Sequence, residues 1–318
     1  MKVLITGGVG FIGSATAKAL MDRGDEVVLI DNFNDYYDPK LKHDRLDIFL
    51  KDYAGKFTLY TGDIRDRAFL EEVFVKESVD KIVHLAAMAG VRSSLLDPSL
   101  YVDVNVQGTL NMLDMSVKHG IKNFVYASSS SVYGNNTKMP FEESDPVDTP
   151  ISPYAATKKA TELLAHVYSH VHGLKTTGLR FFTVYGPWGR PDMGVFGFID
   201  KILRGETIEV YNFGEMRRNF TYIDDIVSGI LAVLDADFTY EIVNIGGDRD
   251  EALLDYIAAI EKHSGKTADK KLMPMQPGDV VSTVADISKL RKLGWEPTTR
   301  IDEGVRKFVE WYKEYYRM

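Results

Sequence analysis

The chain has no cysteine at any of its 318 positions. That absence excludes disulfides, thiolate metal sites, a C-x-x-C redox centre and a thiol nucleophile. Positive charge is in deficit, with 38 Lys and Arg against 46 Asp and Glu and a formal net charge of −8. An acidic chain of this kind has no electrostatic grip on nucleic acid or on an anionic bilayer, so neither is expected as a partner. No apolar run approaches the roughly 18 residues that a spanning helix needs. Met1-Lys2-Val3-Leu4-Ile5 enters a strand-like run directly, without the basic region and long apolar stretch of a signal peptide. A soluble, cytoplasmic protein is the expectation. No group of His and carboxylates has metal-ligand spacing, and His84 lies within an apolar strand pattern, so it reads as a core residue and no metal is expected.

What is present is an alternation of two periods. Short β-rich runs fall at Lys2–Thr6, Glu26–Ile30, Phe57–Tyr60, Lys81–Leu85, Asn123–Ala127 and Lys175–Arg180. Helical patterns lie between most of them, near Phe11–Arg23, Arg67–Lys76, Leu100–His119 and Tyr154–His172. Strands alternating with helices predict an α/β fold, a doubly wound parallel Rossmann sheet with both faces covered. The stretch 31–55 reads as a loop plus a short helix. Beyond Tyr185 the rhythm loosens into shorter elements, which predicts a smaller, mixed C-terminal lobe. Residues 1–184 are read as the dinucleotide-binding domain, with room for later strand or helix contributions, and 185–318 mostly as the lobe, discontinuous in sequence. Ile301, Val305, Phe308, Val309 and Tyr312 share one helical face and read as core.

Thr6-Gly7-Gly8-Val9-Gly10-Phe11-Ile12-Gly13 ends the first strand and opens the first helix, the context that makes a glycine motif meaningful. Gly7 suits a tight turn, Gly10 a close approach of pyrophosphate, and Gly13 close helix–strand packing. The helix N-terminus adds N–H donors and partial positive charge. The second strand runs into Asp31, whose carboxylate can accept from the adenosine ribose and would repel a 2′-phosphate, so NAD is the expected cofactor. Asp63 and Ile64 follow the third strand, in reach of adenine, although Asp63 alone also suits a helix N-cap. Leu85, Ala86 and Ala87 follow the fourth, where small side chains leave room for the dinucleotide.

Tyr154 and Lys158 stand at i and i+4 of a helix that begins near Ser152-Pro153. An ammonium beside a phenol, together with an oxidised nicotinamide, would lower the phenol's pKa toward that of a usable base. The run Ser128-Ser129-Ser130-Ser131 ends the fifth strand, where open α/β sheets place their sites.

Taken in order, Thr6–Gly13, Ser128–Gly134 and Tyr154–Lys158 resemble the extended short-chain dehydrogenase/reductase superfamily, and within it the nucleotide-sugar epimerases, most closely the UDP-glucuronate 4-epimerase group. The resemblance implies Ser129 as the catalytic hydroxyl, Tyr154 as the base and Lys158 as its electrostatic partner. It implies a cofactor set of Gly7, Gly10, Phe11, Ile12, Gly13, Asp31, Asn32, Asp63, Ile64, Leu85, Ala86, Ala87, Asn105, Tyr154 and Lys158. Ser129, Ser131 and Tyr154 would face the sugar, and Thr183 and Arg190 its carboxylate. The substrate-binding part given to the C-terminal lobe is likewise what the resemblance implies. Arg92 would lie near the sugar or phosphate, Arg218 would clamp the pyrophosphate, and Asp279 would meet the uridine ribose. Asn219 and Met88 depart from the Asp and Gln of many relatives. Ser130-Ser131 stand where 4,6-dehydratases carry an Asp-Glu pair, so dehydration is not expected. The implied reaction is NAD-dependent C4 epimerisation of a UDP-sugar by a homodimer, with UDP-glucuronate to UDP-galacturonate favoured. The alternatives are a UDP-hexose 4-epimerase, a UDP-glucuronate decarboxylase and a non-catalytic NAD-binding regulator. The intact Ser129, Tyr154 and Lys158 weigh against the last.

Overall fold

The computed structural model describes residues 1–236, 238–276 and 280–318. Seven strands form one sheet: β1 (Lys2–Thr6), β2 (Glu26–Asp31), β3 (Phe57–Thr61), β4 (Lys81–His84), β5 (Asn123–Ser129), β6 (Thr176–Phe181) and β7 (Tyr240–Ile245). Their order is β7-β6-β5-β4-β1-β2-β3, and every neighbouring pair is parallel. This is the doubly wound α/β arrangement. The chain leaves β1 toward β2 on one side and reaches β4 on the other, so the order reverses at β1/β4, where such sheets open a ligand crevice.

Both faces are covered, which explains why the strands read as nearly continuous apolar runs. One core gathers Leu4, Val28, Ile82 and Phe124 with helices α2 (Arg67–Glu77), α3 (Gly108–Lys118) and α4 (Pro153–His172). The other joins Val3, Ile5, Leu29 and Val125 to helices α1 (Phe11–Asp22), α5 (Ile223–Asp235) and α6 (Ile301–Tyr316), and runs on into the lobe. Val305, Phe308, Val309 and Tyr312 of α6 are fully buried, and Ile301 packs at the edge of the same core.

The lobe is mixed. Ile208–Val210 pairs with Lys270–Leu272 in parallel, while Arg217–Arg218 lies antiparallel to Glu251–Ala252 and parallel to Ser282–Thr283. The seventh strand and α5, both from beyond residue 185, belong to the sheet layers. The stretch 31–55 holds Lys40–Asp44, a π-helical turn Arg45–Phe49 and a 3₁₀ turn Lys51–Tyr53. The helix expected at 100–119 is three segments, Pro98–Tyr101, a π-helical stretch Val102–Gln107 and α3. Among the described residues no helix is long and apolar enough to cross a membrane.

Candidate active site

A cleft of about 500 Å³ runs along the C-terminal edge of the sheet, walled by residues that follow each of β1 to β6. At its floor the turn after β1 enters α1, whose N-cap Gly10 offers no side-chain cap, so the first helical N–H groups face the cleft without an intrachain side-chain acceptor. Gly7 has φ of +67°, and a Cβ there would lie 2.9 Å from the Ala86 nitrogen. At Gly13 a Cβ would sit 2.1 Å from the Gly7 carbonyl oxygen. This cradle closes with any larger side chain and suits a pyrophosphate. Phe11, Ile12, Ile64, Leu85, Ala86 and Ala87 line the same cleft.

Asp31, at the end of β2, accepts from the Val9 nitrogen (3.2 Å) and the Phe33 nitrogen (2.9 Å), which fixes its carboxylate at the cleft wall. Asn32 donates to Asp63 at 2.9 Å. Burial acts to raise the Asp63 pKa, but the Arg65 side chain and backbone and the Asn32 amide outweigh it and hold the carboxyl at about 2. Asp63 is not a helix cap. That position belongs to Asp66, which accepts from the Ala68 and Phe69 nitrogens.

Asn105 is buried behind Met88, where its carboxamide accepts from the Met88 nitrogen (2.8 Å) and donates to the Met88 oxygen (2.9 Å) and Thr157 hydroxyl (3.0 Å). His84 is likewise internal, between the Thr6 and Thr109 hydroxyls at 2.7 and 3.0 Å. Burial pushes its pKa down to about 3, so the ring is neutral.

Helix α4 begins with Ser152 accepting from the Ala155 nitrogen at 3.1 Å, followed by Pro153 at the first helical position. Its buried face carries Ala155, Lys158, Glu162, Ala165 and Ser169, a three-and-four spacing. Tyr154 and Lys158 therefore meet the end of β5. The Ser129 hydroxyl donates to Ser131 Oγ at 3.1 Å and accepts from the Ser131 nitrogen at 3.1 Å. Lys158 Nζ donates to the Ala127 oxygen at 2.9 Å and lies 6.0 Å from the Tyr154 ring centroid. Burial pushes the Lys158 pKa down to about 8. Burial raises the Tyr154 pKa, and the opposing pull comes from the Ser129 hydroxyl and the Arg190 guanidinium.

Beneath these groups a buried ion pair stiffens the site. Arg180, near the end of β6, donates to both oxygens of Glu162 at 2.8 and 2.9 Å, and Ser128 donates to the same carboxylate at 2.7 Å.

Thr183 and Arg190 line the same cleft as Tyr154. Arg190 donates through Nε to Asp192 at 3.0 Å, and its guanidinium lies 5.7 Å above the Tyr36 ring. A second cavity of about 190 Å³ continues from the first and shares Val91, Ser130, Ser131 and Thr183 with it. Arg92 and Arg218 line this extension. Asn219 turns away, donating to the Gly247 and Arg249 oxygens at 2.9 and 2.7 Å. Asp279 lies outside the described residues. Sequence reasoning missed Tyr36, Tyr37 and Lys42, all on the cleft wall. Reading the stretch 31–55 as a loop plus a short helix gave no signal that it lines the cleft.

A glycine cradle, an acidic residue ending β2 and a Ser-Tyr-Lys group on one cleft define an enzyme that works with a bound dinucleotide. The chain matches the model of the NAD dependent epimerase/dehydratase family over residues 3–246 and belongs to that family. NAD is its cofactor. It is 50% identical to an uncharacterized protein, MJ1055, of Methanocaldococcus jannaschii, covering 98% of this chain and 96% of that one. It is 45% identical to UDP-glucuronate 4-epimerase 4 of Arabidopsis thaliana, covering 99% and 76%. The crystal structure of UDP-glucuronic acid 4-epimerase from Bacillus cereus, in complex with UDP-glucuronic acid and NAD, superposes with a TM-score of 0.91 at 34% identity, covering 99% and 100%.

Proposed function

We propose that the protein interconverts UDP-glucuronate and UDP-galacturonate by inverting C4. One observation carries the reading: Ser129, Tyr154, Thr183 and Arg190 share a cleft with the glycine cradle, and the cleft runs on to Arg92 and Arg218. An anionic nucleotide in the extension would leave the sugar beside Tyr154. NAD, when bound, supplies a reversible hydride acceptor at C4. Tyr154 removes the C4 hydroxyl proton, with Ser129 bridging that oxygen and the phenol. Lys158 anchors the base of α4 to β5 and offers its remaining N–H donors to the nicotinamide ribose. The 4-keto sugar turns over while its UDP end stays held, so the hydride given up at C4 would return to the opposite face of that carbon, and Tyr154 returns the proton to the C4 oxygen. Remote binding energy provides the positioning that lets the ring rotate.

With glucuronate the intermediate is a β-keto acid, which loses CO₂ when the breaking C–C bond aligns with the ketone π orbital. Thr183 and Arg190 keep the carboxylate out of that alignment. Incubation with UDP-glucuronate and with UDP-glucose, followed by chromatography of the nucleotide sugars, tests the reading. UDP-galacturonate as main product is expected; turnover of UDP-glucose alone, or UDP-pentose as the main product, contradicts it.

A homodimer is the second part of the proposal. Leu163, Val167 and Val171 are exposed at four-residue intervals along α4, with Leu95, Leu96 and Val102 also exposed. A row of that kind on one helix suits burial against a second copy. Light scattering in solution should give twice the 35.8 kDa chain mass; a monomer contradicts it. The cytoplasmic assignment remains a proposal supported by the cysteine-free composition.

A further inference from the structure

We infer that the segment from Tyr36 to Arg45, inserted between β2 and β3, is the outer wall of the carboxylate site, and that Arg45 is a positioning residue for Arg190. The inference rests on the proposed role of Arg190 and deepens it.

Arg45 has no exposed surface. Burying a guanidinium is costly unless its N–H groups are met. Oxygens from three separate segments meet Nη1 and Nη2, while Nε has no partner among the described residues. Nη1 donates to the Val9 oxygen of the dinucleotide turn at 3.1 Å and to the Tyr37 hydroxyl at 2.8 Å. Nη2 donates to the Trp188 oxygen at 2.8 Å. One side chain thus ties the turn beneath the cofactor to the loop that carries Arg190.

The Trp188 contact has a conformational consequence. Trp188 has φ of +63°, in the left-handed region that bulky residues rarely adopt. A backbone held there needs its surroundings to over-determine it. Arg45 fixes the carbonyl, and Phe49, Trp311 and Tyr315 pack around the indole with ring centroids 5.7, 5.3 and 5.2 Å away. Two residues later Arg190 emerges into the cleft. Its guanidinium lies over the Tyr36 ring, and the Tyr36 hydroxyl donates to Ser93 Oγ at 2.9 Å. The inserted segment therefore grips the loop at its backbone through Arg45 and at its head group through Tyr36. A planar five-donor fork reaches three oxygens at once; a lysine at position 45 has one nitrogen and cannot reproduce that span.

A residue that merely stabilised the fold would weaken every ligand alike. A residue acting through Arg190 weakens the carboxylate-bearing ligand selectively and loses its effect when Arg190 is gone. The test is calorimetric binding of UDP-glucuronate and UDP-glucose to the NAD-loaded protein, comparing Arg45→Met, Arg45→Lys and Tyr36→Leu, each alone and combined with Arg190→Ala. Tyr36 is only half-buried, so Tyr36→Leu keeps the test alive should Arg45→Met not fold. UDP-glucuronate affinity should fall about tenfold in Arg45→Met and Tyr36→Leu, while UDP-glucose affinity moves less than about twofold. Arg45→Lys should recover only part of the loss, and none of the three should weaken UDP-glucuronate further in the Arg190→Ala background. Equal losses for both sugars, or losses that add to that of Arg190→Ala, overturn the inference alone. Unchanged UDP-glucuronate affinity in Arg190→Ala overturns the inference, and unchanged affinity together with unchanged rate and product overturns the role of Arg190 as well.

Discussion

Lys158 is held where an ammonium is costly, and the size of that cost can be measured. Its side chain is buried, Nζ has the Ala127 oxygen as its hydrogen-bond partner, and burial lowers the pKa from 10.5 to about 8. At 1.36 kcal/mol per tenfold change in protonation equilibrium, that depression amounts to about 3 kcal/mol of folding stability withheld at neutral pH. The sign follows from proton counts. Between about pH 8 and 10.5 the unfolded chain still binds the proton that the folded chain has released, so stability rises with pH through that window. Below pH 8 both states are protonated and the full cost is present. Replacing Lys158 with Met removes the cost together with a charge-assisted hydrogen bond worth about 1.5–3 kcal/mol. Lys158→Met should therefore be as stable as the parent at pH 7 or more so, by up to about 1.5 kcal/mol. Urea unfolding of the NAD-free protein at pH 7 and pH 10 should show the parent gaining about 2–3 kcal/mol on the variant across that range. Activity should collapse in the variant. A stability difference that is flat with pH, or Lys158→Met destabilised by several kcal/mol at pH 7, refutes the reasoning.

Gly13→Ala drives a Cβ to 2.1 Å from the Gly7 oxygen; NAD affinity should fall at least about tenfold and stability by about 1–3 kcal/mol, and calorimetric binding unchanged from the parent would contradict this. Glu162→Leu strands the buried Arg180 guanidinium and should cost about 3–5 kcal/mol in urea unfolding, whereas Glu162→Leu with Arg180→Met should recover most of it; a single-variant loss below about 1 kcal/mol speaks against a tightly coupled pair. Arg190→Ala should release more CO₂ and UDP-pentose per turnover from UDP-glucuronate, or lose binding, and unchanged rate with unchanged product contradicts its assigned role.

The first six sheet strands were legible because a parallel strand covered on both faces must be apolar along its length, and Val27 to Ile30 or Ile82-Val83 read that way at once. The helix boundaries at Ser152-Pro153 and Gly173 carried their own cap chemistry. The seventh strand, Tyr240–Ile245, was not assigned to the sheet, because its place beside β6 is set by packing over a sequence separation of more than 60 residues. The glycine cradle and the Tyr154–Lys158 spacing were readable because local geometry alone brings their parts together. Asn105 entered through the family resemblance, and its hold on the Met88 backbone was not readable, because the two meet only in the fold. The Tyr36 to Arg45 wall escaped for the same reason: its contacts reach Val9, Ser93, Trp188 and Arg190, none of them local. The field on Tyr154 depended likewise on Arg190, a residue 36 positions away.

Following deuterium from C4 of UDP-glucuronate tests the central chemistry directly. If hydrogen is taken from C4 and returned to the same carbon inside a closed cycle, UDP-galacturonate should keep the label at C4 when the reaction runs in ordinary water, and Tyr154→Phe should form almost none of it. Product whose C4 label has washed out into solvent, or label retained alongside exchange at C5, would place the bond-breaking elsewhere and contradict the account.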